Sequence, residues 1–156
     1  MACARQADGL ASGLDFFLNH LMGIFAMHTN KQVYRSGPAA TEFAQAVKVG
    51  DALYVSGQVG MDEGGHIPAD LAAQMQLAYV NLEQVLAQFD ASMEHIVDEV
   101  FFVTDMQEFM SDAAAIYAAR HATYGVEPAV CHSLLGVSAL ALPALKIEIK
   151  CVARVA

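Results

Sequence analysis

Basic residues are scarce in this chain: 8 lysines and arginines stand against 17 acidic residues, for a formal net charge of −9 over 156 residues. The few cations are not clustered. Such a chain repels phosphate backbones, so direct RNA or DNA binding is disfavoured. Cysteine is sparse as well. Cys3, Cys131 and Cys151 are widely spaced, which is neither a disulfide framework nor a zinc pattern. They read as reduced thiols of a cytoplasmic protein. No two histidines have metal-ligand spacing on one helix, and neither a metal nor an organic cofactor is expected. There is also no unbroken apolar run of the roughly 20 residues that a membrane span requires. The stretch 129–145 is interrupted by His132, two serines and Pro143, and the stretch 13–27 by Asp15, Asn19 and His20.

Apolar surface, by contrast, is abundant: 56% of residues are hydrophobic and 16% charged. That is high for a single domain of this length. With membrane insertion excluded, burial between subunits is the expected outlet for the surplus.

Residues 1–29 read as an N-terminal extension. Within it Leu10, Leu14, Phe17, Leu21, Ile24 and Phe25 fall on one face of an amphipathic helix. A secretory signal fits poorly, because the apolar run is broken by polar residues and lacks a convincing cleavage site. Met27 is an alternative start. Residues 30–156 read as one domain. Short strands are expected at 32–35, 44–49 and 52–56, the last two joined by the Gly50-Asp51 turn. A helix is expected over 69–90, with Leu71, Met75, Ala78, Leu82, Val85 and Phe89 on one face. A strand at 96–104, a helix over 107–124 ending at Gly125, and strands at 130–137 and 145–155 complete the order. In the last strand Ile147, Ile149, Cys151 and Ala153 alternate with Glu148, Lys150 and Arg154. The class is α+β: a mixed sheet with two helices on one face, whose other face needs a partner.

Four strings carry a family resemblance: FAQAVKVGDALYVSGQVGMDEGGHIPADLAAQMQLAYVNLEQVL from Phe43, DEVFFVTDMQEF from Asp98, SLLGVSAL from Ser133 and LKIEIKCVA from Leu145. Together they resemble the RidA-like family (reactive-intermediate deaminase, also labelled endoribonuclease L-PSP). The resemblance implies a chorismate-mutase-like fold and a homotrimer whose sheets form a central barrel, with small-molecule clefts between neighbouring subunits. In deaminase members those clefts hydrolyse short-lived enamines and imines to 2-oxo acids and ammonia.

Carried over by position, the resemblance implies that Glu148 handles the reactive water, and that Ser56 and Gly57 belong to the substrate loop. Phe43 stands where the deaminases have a tyrosine, so one hydroxyl is lost. Their carboxylate-clamping arginine is absent. Counting back from Gly136-Val137, His132 occupies its position; the longer spacing from Pro128 makes Cys131 a rival. An arginine binds a carboxylate bidentately, which a histidine cannot do.

Each residue also has a plainer reading. Glu148 could be a solvated strand glutamate, Ser56 a hydroxyl capping backbone, His132 a hydrogen-bonded interface histidine and Cys131 a small buried filler. Two functions remain open: hydrolytic deamination of an enamine, imine or related metabolite, and a non-catalytic trimeric small-molecule binder. The acidic charge counts against an RNA-cleaving role.

Overall fold

The structure, a computed structural model, describes residues 30–155. The expected N-terminal helix lies outside these residues. The elements are β1 (Lys31–Tyr34), β2 (Ala46–Val49), β3 (Ala52–Val59), α1 (Leu71–Ala87), a 3-10 turn (Met93–His95), β4 (Ile96–Val103), α2 (Met106–Ser111), α3 (Ala113–Tyr124), β5 (Cys131–Gly136) and β6 (Ile147–Arg154). They form a six-stranded mixed sheet in the order β1-β2-β3-β6-β4-β5. Its central pairs are antiparallel, and β5 lies parallel to β4. This is the α+β architecture expected from the sequence.

Local chemistry sets the element boundaries. Gly50, at φ +60°, turns β2 into β3 and aligns Val49 with Ala52; a left-handed φ at a turn favours glycine. Asp70 caps α1 by accepting from the Ala73 N–H at 2.8 Å. Asp105 caps α2 by accepting from the N–H groups of Gln107 and Glu108.

Two of the differences from the sequence reading change the element pattern. The single helix expected over 107–124 is two helices. Asp112, at φ −112° and ψ 11°, ends α2 with a bond from its N–H to the Phe109 carbonyl, and its own carbonyl accepts from Ile116 to start α3. Serine and aspartate compete for backbone groups, and Ser111-Asp112 is where the ladder breaks. The strand expected to stop at Ser56 continues to Val59 through an irregularity described below.

The helices share one sheet face. Toward them point Leu53 and Val55, Phe101 and Val103, and Ile147, Ile149, Cys151 and Ala153, all at most 1% exposed. Met75, Ala78, Leu82 and Leu86 of α1 close the core from above. Each large aliphatic side chain buried this way contributes about 1.5–3 kcal/mol. The opposite face has no covering layer among the described residues, and Tyr54 and Leu135 are exposed there. No helix among the described residues is long and apolar enough to cross a membrane.

Candidate functional site

Cross-strand partners share a sheet face, so the register places the site residues. Glu148 pairs with Val59 on one side and Phe102 on the other, and Phe102 pairs with Leu135. These four form a row on the uncovered face. The next row holds Lys150, Val100 and Ser133; beyond it lie Tyr54, Val152, Asp98 and Cys131.

A bulge distorts β3 beside Glu148. Val55 pairs with Cys151 and Gln58 with Ile149, so Ser56 and Gly57 together stand opposite Lys150. Such an insertion re-aims the local side chains. A Cβ at Gly57 would overlap the Glu148 carboxyl group, and the missing side chain leaves room for that carboxylate. Ser56 donates from Oγ to the Ala44 carbonyl at 2.7 Å, which ties the segment carrying the exposed Phe43 to the bulge. The fold therefore gathers Phe43, Ser56, Gly57 and Glu148 into one region. The Ser56 hydroxyl is already committed to backbone.

Glu148 has no hydrogen-bond partner among the described residues. Partial burial pushes its carboxyl above the ordinary range, and the Lys150 ammonium offsets some of that rise. Lys150 lies on the same face, two residues along β6.

His132 does not join this group. It pairs with Glu99 across β4–β5 and points to the helix-covered face. Cys131, its rival for the arginine position, shares the face of Glu148 but is two rows away and exposed.

The environment of His132 was not foreseen from sequence. Glu99 is fully buried, and its Oε1 accepts from the Tyr79 hydroxyl at 2.7 Å and the Tyr124 hydroxyl at 3.1 Å. Its Oε2 accepts from Arg120 Nε at 2.6 Å. His132 Nδ1 lies 3.3 Å from Oε2, too poorly aligned for a full hydrogen bond, while its Nε2 meets the Tyr117 hydroxyl at 3.2 Å. The imidazole also packs edge-on against Phe101, with ring centroids 4.6 Å apart. Burial alone would raise the Glu99 carboxyl. The His132, Tyr79 and Arg120 contacts together with the Arg120 charge outweigh burial and hold the carboxyl below its ordinary range. Burial and the neighbouring Glu99 charge push the Tyr79 and Tyr124 hydroxyls far up, so both remain protonated donors. The Cys151 thiol, buried beneath the network, is pushed up to about 12, which leaves it a poor nucleophile. The network reads as the polar centre of the core. Its signals in the sequence were one carboxylate too many in an apolar strand and Arg120 set three residues after Tyr117 and four before Tyr124.

Comparison with known proteins agrees with the architecture. Residues 34–155 match the family model for Endoribonuclease L-PSP. RutC family protein YjgH of Escherichia coli (strain K12) is 32% identical over 117 residues, covering 75% of this chain and 86% of its own length. The 2-iminobutanoate/2-iminopropanoate deaminase of Mus musculus is 32% identical over 75 residues, 46% of this chain and 56% of its own. Among solved structures, Rv2704 from Mycobacterium tuberculosis, a member of the YjgF/YER057c/UK114 family, is similar with a TM-score of 0.68 at 26% identity. The match covers 81% of this chain and all of that one.

Proposed function

Because this chain belongs to the endoribonuclease L-PSP, or RidA-like, family, we propose that it hydrolyses a small imine or enamine on the sheet face around Glu148, which a neighbouring copy closes into a cleft in a homotrimer. The observation that carries this reading is Glu148 itself. It is a half-buried carboxylate, raised by burial, lodged against Gly57 and without a protein hydrogen-bond partner among the described residues. A carboxyl shifted toward neutrality is better matched to proton transfer near pH 7.

In the proposed reaction Glu148 takes a proton from water as the oxygen bonds to the C=N carbon. It returns that proton to the nitrogen, giving a carbinolamine; the carbinolamine hydroxyl then passes its own proton through Glu148 to the nitrogen as the C–N bond breaks, a carbonyl forms and ammonia leaves. An enamine enters the same sequence after tautomerising to its imine. Phe43 adds apolar surface where a tyrosine would donate a hydrogen bond. The segment 128–136 contains no arginine, and His132 faces the other side of the sheet. Lys150 supplies a single point charge near Glu148. An uncharged or weakly acidic imine therefore suits the site better than a 2-imino acid.

The same lack of a carboxylate clamp favours the second reading, a trimeric binder without turnover. A panel of neutral and carboxylated imines, generated in situ and followed by ammonia release, separates the two. Turnover of a neutral imine that Glu148→Gln abolishes supports the hydrolase. Saturable ligand binding with no turnover of any imine supports the binder. Sedimentation equilibrium is expected to give three times the chain mass, and a monomer at micromolar concentration would refute the shared cleft.

A further inference from the structure

A second concavity lies on the helix-covered side of the sheet, away from Glu148. Tyr34, Ser36, Gln45, Gln58, Glu63, Asn81 and Gln84 supply its polar lining. Gln58 is only 7% exposed and pairs with the inward-facing Ile149. Its position in the core needs a reason, because a buried carboxamide is costly unless its hydrogen bonds are made.

The donors are accounted for. Gln58 Nε2 donates to the Ser56 carbonyl at 3.0 Å and to Gln45 Oε1 at 3.1 Å. Only an N–H can meet the backbone carbonyl, which fixes the orientation of the amide. Gln58 Oε1 is then left without a donor among the described residues. Asn81 repeats the pattern: its Nδ2 donates to the Val59 and Met61 carbonyls, both at 2.9 Å. That uses both of its N–H groups and leaves Oδ1 without a donor among the described residues. Glu63 adds a carboxylate, and the Tyr34 and Ser36 hydroxyls can accept as readily as donate. None of the lining residues is a lysine or arginine.

We propose that this concavity binds a small organic cation bearing several N–H groups, a guanidinium or amidinium. Two amide oxygens and a carboxylate call for several donors from one compact group, which a planar guanidinium provides. An anion would meet Glu63 with no cation in the lining to offset it. A hard metal ion favours several carboxylate oxygens, and Glu63 is the one carboxylate in the lining. Val85 contributes apolar wall for an aliphatic substituent. The site is separate from the proposed imine chemistry, since the sheet lies between them.

The test is calorimetric titration of the full chain with methylguanidinium chloride at constant ionic strength, with sodium acetate as the anionic comparison. The expected result is saturable binding at one site per chain, weakened at least about fivefold by Glu63→Gln and by Gln58→Met through loss of charge-assisted and neutral acceptors. Glu148→Gln, on the other face, is expected to leave this titration as it was, and acetate to give no saturable heat. Absence of saturable binding overturns the proposal, as does binding that neither lining variant weakens or acetate binding of equal strength. Should Gln58→Met fail to fold, the exposed Glu63→Gln decides alone.

Discussion

The Glu148 carboxylate occupies the volume that a side chain on Gly57 would fill. The backbone at Gly57 is not in the left-handed region, so alanine is excluded by its neighbour and not by its own torsions. Gly57→Ala is expected to fold, at a cost of about 1 kcal/mol, by driving Glu148 outward. In water the carboxyl loses the burial that raises it, so its titration, followed by carboxyl carbon NMR, moves down toward the ordinary value. An unchanged titration would show that the two residues are not in steric competition.

Gly60 gives the contrasting case. A Cβ there would strike the backbone of Gln74. Gln74 is itself pinned, because Nε2 donates to the Pro68 and Ala144 carbonyls and Oε1 accepts from the Lys146 N–H. Neither side can yield. Gly60→Ala is expected to cost about 3 kcal/mol in urea unfolding, well above Gly57→Ala.

Removing one member of the buried ion pair strands the other. Arg120→Met leaves the Glu99 carboxylate with hydroxyl donors and a poorly aligned imidazole, and is expected to cost about 3–5 kcal/mol. Tyr79→Phe removes one neutral donor and is expected to cost less, about 1–2 kcal/mol. Equal losses in the two variants would contradict the assignment of the charge to this pair.

The two carboxyls affect acid stability with opposite signs. Glu99 is lowered in the fold, so its contribution is complete above the unfolded value and is lost as pH falls through the folded one. Stability is expected to drop in acid, below about pH 4. Glu148 is raised, so the stability it contributes is present below the unfolded value and is lost as pH rises through the folded one. Urea midpoints against pH should show a flatter acid limb in Glu99→Gln and a steeper one in Glu148→Gln.

Position 132 offers a direct check on the missing clamp. An arginine there faces the buried network and brings a second guanidinium beside Arg120, on the sheet face opposite Glu148. His132→Arg is expected to lower stability and to leave 2-aminoacrylate hydrolysis weak or absent. Activity equal to that of arginine-bearing relatives would mean that this strand turns its other face to the cleft.

Much of the fold was legible because burial leaves a period. The alternation of Ile147, Ile149, Cys151 and Ala153 with Glu148, Lys150 and Arg154 matches the buried and outer faces of β6. The spacing from Leu71 to Val85 likewise marks the buried stripe of α1. Breaks in periodicity were harder to read. The bulge at Ser56-Gly57 adds one residue to β3 and resembles the start of a glycine-rich loop, so the sequence pattern ends the strand at Ser56 while the sheet carries it to Val59. The split at Asp112 falls between two segments of good helix propensity, 106–111 and the alanine-rich 113–122. The inward turn of Glu99 and His132 depends on pairing between distant segments: a second register shift, between Ile96 and Asp98, sets the phase of β4, and no local signal marks it. The grouping of Ser56, Gly57 and Glu148 could be inferred only through the family resemblance, since Gly57 and Glu148 are far apart along the chain.

The position of β6 also constrains how the protein is made. It is the last of the six strands in chain order, yet it lies between β3 and β4. During synthesis the β2–β3 hairpin and the β4–α2–α3–β5 unit emerge first, each with one long edge unpaired. Residues 147–154 join them. Such non-local closure is slow compared with helix or hairpin formation, and until it happens both open edges can pair with other chains. A ribosome that stalls or terminates before Ile147 therefore releases two half-sheets instead of a slightly shortened domain, and the nascent chain is most in need of a chaperone just before its centre arrives.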